Sequence, residues 1–245
     1  MMPPVLRTVT ATRYVTPLRE GGSLPGLVEA DDDGLYVVKF RGAGQGPKAL
    51  AAEIVAGELA RGLGLPVPEL VFVDVDPDMA RAEPDPEIQD LIRASAGINL
   101  GVDFLPGSLP YSPATPPDPE LAASVVWLDA LVENVDRTPR NPNLLRWHHD
   151  LWLIDHGAAL YVHHGATDPL AVARRPFPAI RDHVLLDVAG SLIEADGRLG
   201  PLADPYAAAA LVPEDWAGGA PYGEHLALRL ENPRDWVEEA ERVRP

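Results

Sequence analysis

The sequence predicts an α+β fold of two lobes, with an antiparallel sheet and one helix in the N-terminal lobe and mostly helices in the C-terminal lobe. The first 105 residues contain short apolar runs separated by turns rich in glycine and acidic residues, which is the pattern of strands. After a segment with six prolines between Pro106 and Pro119, apolar residues recur at helical spacing. We therefore predict lobes at residues 1–105 and 106–245.

The composition of the 245-residue chain limits its function classes. Hydrophobic residues make up 46% and charged residues 23%, as in ordinary globular proteins. The net charge of -17 repels phosphate backbones, so we expect no nucleic-acid partner. Cysteine is absent, which excludes thiolate metal sites, and no apolar run approaches the roughly 20 residues that span a bilayer. We expect a cytoplasmic protein without stable membrane association.

The N-terminal lobe is predicted to begin with three antiparallel strands. A strand over residues 13–18 leads into a glycine-rich turn at residues 20–26. After a short apolar segment, the acidic residues 31–34 suit a hairpin turn into the apolar run of residues 35–40. The order of turns and apolar runs therefore predicts a three-stranded antiparallel start to the sheet of this lobe.

A helix and two further strands complete the predicted N-terminal lobe. Pro47 suits the first turn of a helix that ends near Gly62. Strands are predicted at residues 70–75 and 99–105, and the acidic residues 76–96 between them predict a loop with a short helix.

The C-terminal lobe is predicted to begin with a long apolar helix. Asp118 is a favourable N-cap for this helix, and Pro119 is its first residue. The apolar runs 143–147 and 151–154 predict a hairpin. The remaining residues are predicted to be mostly helical, with one clear helix over residues 184–195.

Lys39 is a candidate site residue because it ends an apolar strand in a chain with few lysines. Of the 20 lysine and arginine residues, only Lys39 and Lys48 are lysines. A lysine that points into a cleft is costly to desolvate unless a carboxylate meets it. Glu53 on the following helix is the candidate partner, and Glu58, on a different face of that helix, is the alternative. Taken alone, Lys39 also fits a solvated surface charge.

A loop after the long helix carries Asp136 and Asn141, and Asp155 follows the second strand of the predicted hairpin. On a tight loop, an aspartate can orient a hydroxyl while an asparagine carbonyl binds Mg²⁺. The hairpin would bring both carboxylates to one edge, where a divalent cation offsets their repulsion. Together with Lys39 these are the charges that phosphoryl transfer from ATP requires. A turn rich in Asp, Asn and Pro, without chemistry, is the alternative interpretation of the loop.

The same segments carry a resemblance to a known family. The pattern ENVDRTPRN, then NLL, then LIDHG resembles the catalytic and metal-binding loops of the HipA-like kinases, which in turn resemble protein kinases and phosphoinositide kinases. Upstream, YVVKF and AEIVAGELARGLGLPVP are similar to the lysine strand and the glutamate helix of that family. The resemblance spans roughly residues 13–160 and implies a protein-kinase-like fold.

The resemblance implies a role for each charged candidate. Lys39 would bind the phosphates of ATP, and Glu53 would pair with Lys39. Asp136 would act as the catalytic base, while Asn141 and Asp155 would hold Mg²⁺. ATP and Mg²⁺ are therefore the expected cofactors.

The resemblance also implies two nucleotide contacts in the N-terminal lobe. One is the turn that would cover the phosphates, formed by Gly21, Gly22 and Ser23. The other is the stretch Gly101 to Leu105, which would meet adenine through Asp103, Phe104 and Leu105. The chain departs from the family pattern at three places: Thr138 stands where many relatives carry histidine, His156 replaces the usual phenylalanine, and the glycine-rich turn lacks the full spaced-glycine pattern.

The resemblance implies a kinase that transfers phosphate from ATP to an alcohol group, with serine or threonine of a protein substrate as the expected acceptor. A lipid or small-molecule kinase and a non-catalytic nucleotide-binding module are the alternatives. Retention of Lys39, Asp136, Asn141 and Asp155 together favours catalysis. The histidines lack the spacing of a zinc motif, and no serine lies in a Gly-x-Ser-x-Gly elbow. The sequence leaves the oligomeric state open.

Overall fold

The computed structural model describes residues 5–18, 24–43 and 46–245. The chain forms two compact units, and the division falls within helix α1 (Gly46–Gly62). The first unit comprises the described residues of Met1–Leu50 together with Pro68–Pro106, and the second comprises Ala51–Val67 together with Gly107–Pro245. The lobes predicted at residues 1–105 and 106–245 stay a prediction.

The first unit is built on a five-stranded closed barrel in the order β1-β2-β3-β5-β4. Its strands are β1 (Thr8–Pro17), β2 (Gly26–Ala30), β3 (Leu35–Lys39), β4 (Leu70–Val75) and β5 (Gly97–Asp103). The predicted antiparallel start, β1-β2-β3, is confirmed.

The expectation of a purely antiparallel sheet is corrected by the pairing of β1 with β4, which is parallel. The parallel pairs join Thr8 to Phe72 and Thr10 to Asp74, and they use the part of β1 that precedes the predicted strand. That part of β1 contains threonine in place of large apolar residues, so the apolar pattern did not reveal it. This pairing closes the sheet into a barrel.

A charged cluster joins the residues that precede β1 and β4 to the turn between β2 and β3. Arg7 forms an ion pair with Asp32, in the turn between β2 and β3, and its Nε donates to Oε1 of Glu69 at 2.9 Å. Nη2 of Arg7 also donates to the Tyr36 hydroxyl at 2.6 Å. The hydrogen bond from Arg7 lowers the pKa of the Asp32 carboxyl to about 2. The cluster therefore favours the ionised form of Asp32.

The core of the first unit lies inside the barrel and under helix α2 (Pro86–Ala94). Asp85 caps α2, because its side chain accepts from the N–H of Glu87 at 3.0 Å. A 3₁₀ helix at Pro77–Ala82 connects β4 to α2. The buried residues that form this core include Val9, Val28, Val38, Val71, Val73, Ile88 and Ile92.

The second unit contains a small sheet and a set of helices. Its strands are β6 (Leu109–Pro110), β7 (Leu144–Trp147) and β8 (Asp150–Leu153). The helices that follow along the chain are α3 (Pro119–Leu131), α4 (Pro169–Val172), α5 (Leu192–Leu199), α6 (Pro205–Ala209), α7 (Glu214–Ala217), α8 (Tyr222–Leu230) and α9 (Asp235–Val243). Short 3₁₀ helices lie at Tyr161–His164, Pro178–Asp182 and Leu186–Val188. In the described part of the chain, no helix has both the length and the apolarity to cross a bilayer.

Helix α3 forms the centre of the second unit and begins as predicted. Asp118 accepts the N–H of Glu120 at 2.8 Å, and Pro119 is the first helical residue. Every residue from Ala122 to Leu131 is buried. The hairpin of β7 and β8 is also confirmed, and its two-residue turn has positive φ at His148 and His149, as the tightest hairpin turns require.

The helix predicted over residues 184–195 is wrong. A short 3₁₀ helix at Leu186–Val188 ends before Gly190, whose N–H donates to the carbonyl of Pro119 at 2.8 Å instead of continuing a helix. Ser191 then caps α5, with its hydroxyl accepting the N–H of Glu194 at 3.3 Å. A tertiary contact to the start of α3 therefore interrupts an apolar pattern that is helical in period.

Candidate active site

Lys39 is the last residue of β3 and is half-buried. It lies opposite Leu100 of β5 in the barrel register. The turn that follows is held by the buried Asn99, whose Oδ1 accepts the N–H of Arg41 at 2.8 Å and whose Nδ2 donates to the carbonyl of Ser95 at 2.7 Å. The pairing of β3 with β5 and the bonds of Asn99 thus fix the backbone position of Lys39 at the end of the strand.

The predicted adenine-binding residues lie at the end of β5. Asp103 is the last residue of the strand, and its N–H donates to the carbonyl of Glu69 at 2.9 Å. Burial raises the pKa of the Asp103 carboxyl. The N–H of Phe104 donates to the carbonyl of Leu35 at 2.9 Å, and Leu105 is buried. Gly101 to Asp103 therefore belong to the barrel, and only the last two residues of the predicted linker follow it.

The residues predicted to cover the phosphates, Gly21, Gly22 and Ser23, lie outside the described residues. Their role stays a prediction.

Glu53 lies in α1, in the part that belongs to the second unit, and is buried. Its Oε1 lies 3.6 Å from Nδ1 of His156, which is also buried. This separation is longer than a hydrogen bond, although a protonated imidazole would form an ion pair there. His156 directly follows Asp155, so a side chain next to one predicted metal ligand contacts the predicted partner of Lys39. The sequence did not predict this contact.

The loop between α3 and β7 presents Asp136. Its N–H donates to Oδ1 of Asn134 at 3.1 Å, which fixes the backbone. Its carboxylate Oδ2 accepts from Nδ2 of Asn141 at 2.7 Å and from Nδ2 of Asn143 at 3.4 Å. The structure therefore brings Asp136 and Asn141 together, as the spacing of five residues predicted. In this arrangement Asn141 uses its amide nitrogen, and its Oδ1 is not part of the bond.

Asp155 lies two residues beyond the end of β8, is exposed, and has a left-handed backbone with φ of 55°. The preceding residue, Ile154, donates its N–H to the carbonyl of Asn143 at 3.1 Å. Asn143 also reaches Asp136 with its side chain. One residue therefore links the segment that carries Asp136 to the segment that carries Asp155.

A buried ion pair lies behind this loop. Arg137 and Asp129 have no solvent-exposed side-chain surface, and Nε of Arg137 donates to Oδ2 of Asp129. His183 Nε2 also lies 3.0 Å from that oxygen. Burial alone would raise the pKa of the Asp129 carboxyl, but the guanidinium of Arg137 and the hydrogen bond from His183 lower it well below its usual range. Asp129 is therefore a buried carboxylate with charged and neutral donors around it.

A second buried cluster holds the end of α3. The guanidinium of Arg229 donates to the carbonyls of Ala130 and Leu131 at 2.7 Å each, which caps the C-terminus of the helix. Glu133, the next acidic residue, lies 2.9 Å from Nε2 of His225. Burial lowers the pKa of the Arg229 guanidinium, and Glu133 opposes this effect. This second cluster holds the C-terminus of α3, whereas the ion pair of Arg137 with Asp129 lies behind the loop that carries Asp136.

A family model described as HipA-like kinase matches residues 12–188. The chain belongs to the HipA-like kinase family. This confirms the resemblance inferred from the sequence motifs. A solved structure, the proinflammatory kinase CtkA of Helicobacter pylori, matches with a TM-score of 0.51 and 14% sequence identity, over 97% of this chain and 94% of that chain. At this identity the match shows a common fold. The comparison with curated proteins returned no significant match.

The oxygen donors of this HipA-like kinase suit a magnesium ion. No group of three or more His, Asp or Glu side chains in the described part of the chain could hold a metal ion by itself. Mg²⁺, however, is usually bound by one or two carboxylates together with substrate phosphates and water. Asn141 and Asp155 are both exposed and offer an amide and a carboxylate oxygen. The donor set therefore fits Mg²⁺ that arrives with a nucleotide.

Two residues at which this HipA-like kinase departs from the family pattern, Thr138 and His156, make contacts near the candidate site. Thr138, where many relatives carry histidine, forms an isolated bridge with Asn141, and its N–H donates to the Asn141 carbonyl at 3.1 Å. His156 contacts Glu53, as described above. Thr138 therefore shapes the backbone of the loop that carries Asn141.

Sequence reasoning missed Asp129, Arg137 and His183, although the first two left a signal. Asp129 is an acidic residue within the otherwise apolar helix α3, and Arg137 directly follows the predicted base. A charge inside an apolar helix is rare without a partner. This pairing could have been proposed from the sequence, whereas His183 has no such signal.

Proposed function

We propose that the protein is an ATP- and Mg²⁺-dependent phosphotransferase that phosphorylates serine or threonine residues of a protein. The observation that carries this proposal is the Asp136 carboxylate, which Asn141 and Asn143 hold through one oxygen, next to the segment that ends in Asp155. Membership of the HipA-like kinase family supports the reaction class.

In the proposed reaction Asp136 is the base. Its Oδ2 accepts two amide hydrogen bonds, and in the described part of the chain no donor is bonded to its Oδ1. A carboxylate oxygen in this state can accept the proton of an acceptor hydroxyl. The two amides fix the orientation of the carboxylate, so that the base does not have to rotate into place.

The other proposed roles concern ATP. Mg²⁺, when bound with ATP, neutralises the charge that develops on the phosphates. Asn141 and Asp155 would hold the ion, and Lys39 would bind the phosphates with Glu53 as its partner. The turn of Gly21, Gly22 and Ser23 would cover the phosphates. The end of β5, with Phe104 and Leu105 after it, would meet adenine, in the two-lobed arrangement predicted from the sequence.

The acceptor is proposed to be a protein because of charge. The net charge of -17 opposes binding to an anionic lipid surface and attracts basic proteins. We expect transfer to myelin basic protein, a basic acceptor, to exceed transfer to vesicles that contain phosphatidylinositol. Faster transfer to the vesicles would make the lipid the acceptor.

Asp136→Asn tests the proposed base. Transfer of labelled phosphate from ATP with Mg²⁺ to a protein acceptor should fall by roughly 10²- to 10⁴-fold, because the amide cannot accept the proton. Asp150→Asn, at an exposed aspartate in the same unit, is the matched control and should retain the parent rate. Equal rates for Asp136→Asn and the parent would remove Asp136 from this role.

A further inference from the structure

Arg137 is an arginine whose side chain has no solvent exposure, although it directly follows the half-buried Asp136. Burial of a guanidinium is unfavourable unless a charge and several hydrogen bonds compensate for the lost water. Here the compensation comes from three acceptors, which are the Asp129 carboxylate, the carbonyl of Asn143 and the carbonyl of Ile154. They bond to Nε and Nη1, while Nη2 has no hydrogen-bond partner in the described part of the chain. Such an arrangement places the guanidinium at a fixed position.

The two carbonyls belong to the two segments that carry the candidate site. Nη1 of Arg137 donates to the carbonyl of Asn143 and, at 3.3 Å, to the carbonyl of Ile154. Asn143 binds Asp136 with its side chain, and Ile154 directly precedes Asp155. A single side chain therefore connects the segment that carries Asp136 to the segment that carries Asp155.

Asp129 holds the guanidinium of Arg137, and His183 in turn bonds to Asp129. The N–H of Leu185 donates to Nδ1 of His183 at 3.0 Å, so Nδ1 carries no proton and Nε2–H donates to Asp129. The N–H of Val184 donates to the carbonyl of Arg137 at 3.0 Å. Both ring nitrogens of His183 are thus hydrogen-bonded, and Oδ2 of Asp129 accepts from His183 as well as from Arg137.

We infer that Arg137 is a positioning residue that sets the separation between Asp136 and the proposed metal ligand Asp155, with Asp129 holding its guanidinium and His183 holding Asp129. The inference rests on the proposed function and deepens it. Lysine is a poor replacement here, because its three donors share one nitrogen, whereas Arg137 reaches Asp129 from Nε and the two carbonyls from Nη1.

Arg137→Lys tests this inference, with Arg229→Lys as the matched control. Arg229 is an equally buried arginine of the same unit that also donates to carbonyls, but its partners are the end of α3 and the segment after α4. The first readout is binding of Mn²⁺ in the presence of ADP, followed by electron paramagnetic resonance. The second is the Mg²⁺ concentration that gives half the maximal rate of phosphate transfer.

Arg137→Lys should weaken Mn²⁺ binding by about 10- to 100-fold, as the loss of a group that orients metal ligands does. The Mg²⁺ concentration for half the maximal rate should rise by a similar factor. Arg229→Lys should lower the melting temperature but leave both metal readouts at the parent value. Asp129→Asn, which keeps the shape and one acceptor oxygen, is the second variant if Arg137→Lys does not fold.

The outcomes separate this inference from the proposed function. Parent-like Mn²⁺ binding by the folded Arg137 or Asp129 variant overturns the inference, even if Asp136→Asn abolishes transfer. A parent that binds Mn²⁺ but transfers no phosphate overturns the proposed function, and the metal readout still decides the role of Arg137. A parent that does not bind Mn²⁺ with ADP overturns both.

Discussion

Two buried histidines of the second unit show how differently the same residue type can be used. His183 has a hydrogen-bond partner at both ring nitrogens, Asp129 and the N–H of Leu185. His156 has none at either nitrogen in the described part of the chain, and its nearest carboxylate oxygen, on Glu53, is 3.6 Å away. A buried polar group without a hydrogen bond costs free energy, whereas a bonded one does not.

His156→Phe should therefore raise the free energy of unfolding by about 1 kcal/mol, because a phenyl ring removes two unbonded polar atoms from the interior. Chemical denaturation of the purified protein measures this change. His183→Phe is the control and should destabilise the protein, since it breaks two hydrogen bonds. If both variants lose stability to the same extent, the contact of His156 with Glu53 stabilises the fold.

The candidate site could be predicted from the sequence in part. The sequence predicted Asp136, Asn141 and Asp155 because these residues lie in short loops. In a short loop, residues that are close in sequence are also close in space, so residue type and spacing are informative. The contact of Glu53 with His156 and the ion pair of Arg137 with Asp129 were not predicted. These contacts depend on burial and on the packing of elements that are distant in the chain, and neither property is local.

At the scale of elements, prediction succeeded where a local signal defined the ends. The cap at Asp118 defined α3, and the hairpin turn defined β7 and β8. Prediction failed where a tertiary contact decided which residues form a helix or a strand. The backbone of Gly190 bonds to Pro119 and interrupts the predicted helix, and the start of β1 becomes a strand because β4 lies beside it.

Substitution of Gly101 tests how tightly the barrel is packed at strand β5. A Cβ atom at this position of β5 would lie 2.5 Å from Cγ2 of Val73 and 2.9 Å from Cγ2 of Val71. Gly101→Ala should therefore destabilise the first unit by roughly 1–3 kcal/mol through overpacking. Urea denaturation measures the change.

Gly197→Ala is the matched control for Gly101. Gly197 lies in helix α5, and an added Cβ there meets no atom within 4 Å. Because alanine is favoured over glycine in a helix, this variant should gain roughly 0.5–1 kcal/mol. A loss of stability at Gly197 that equals the loss at Gly101 would show that barrel packing is not the cause.

At the scale of the whole molecule, charge and burial act on stability in opposite directions as pH falls. The net charge of -17 becomes smaller on acidification, which reduces self-repulsion. Burial lowers the pKa of His183, although Asp129 opposes this effect, and the nearby Arg137 lowers it further. Below about pH 6.5 the unfolded chain therefore binds a proton at this residue that the folded protein does not bind.

His183 should consequently make the free energy of unfolding fall with decreasing pH, by at most about 1.4 kcal/mol per pH unit. The effect should begin near pH 6.5 and stop once the pH passes below the lowered pKa. Thermal unfolding of the parent and of His183→Gln between pH 7.5 and 5 measures it. Subtracting the two curves removes the contribution of net charge, and a difference that is independent of pH would contradict the prediction.

The family could be predicted from the sequence because its motifs occur in a fixed order along the chain. Similarity to CtkA at 14% identity shows that the fold persists when most side chains have changed. Closure of the barrel and the division of α1 between two units could not be predicted, since both depend on pairings between distant segments.

The left-handed backbone at Asp155 limits which substitutions can serve as probes. Residues with φ near 55° are uncommon apart from glycine, asparagine and aspartate. Alanine at this position would remove the carboxylate and also strain the chain, so a loss of activity could not be assigned to either cause. Asparagine tolerates the backbone and changes only the charge. Aspartate combines this conformational tolerance with a negative charge, so Asp155→Asn is the substitution that isolates the contribution of the charge.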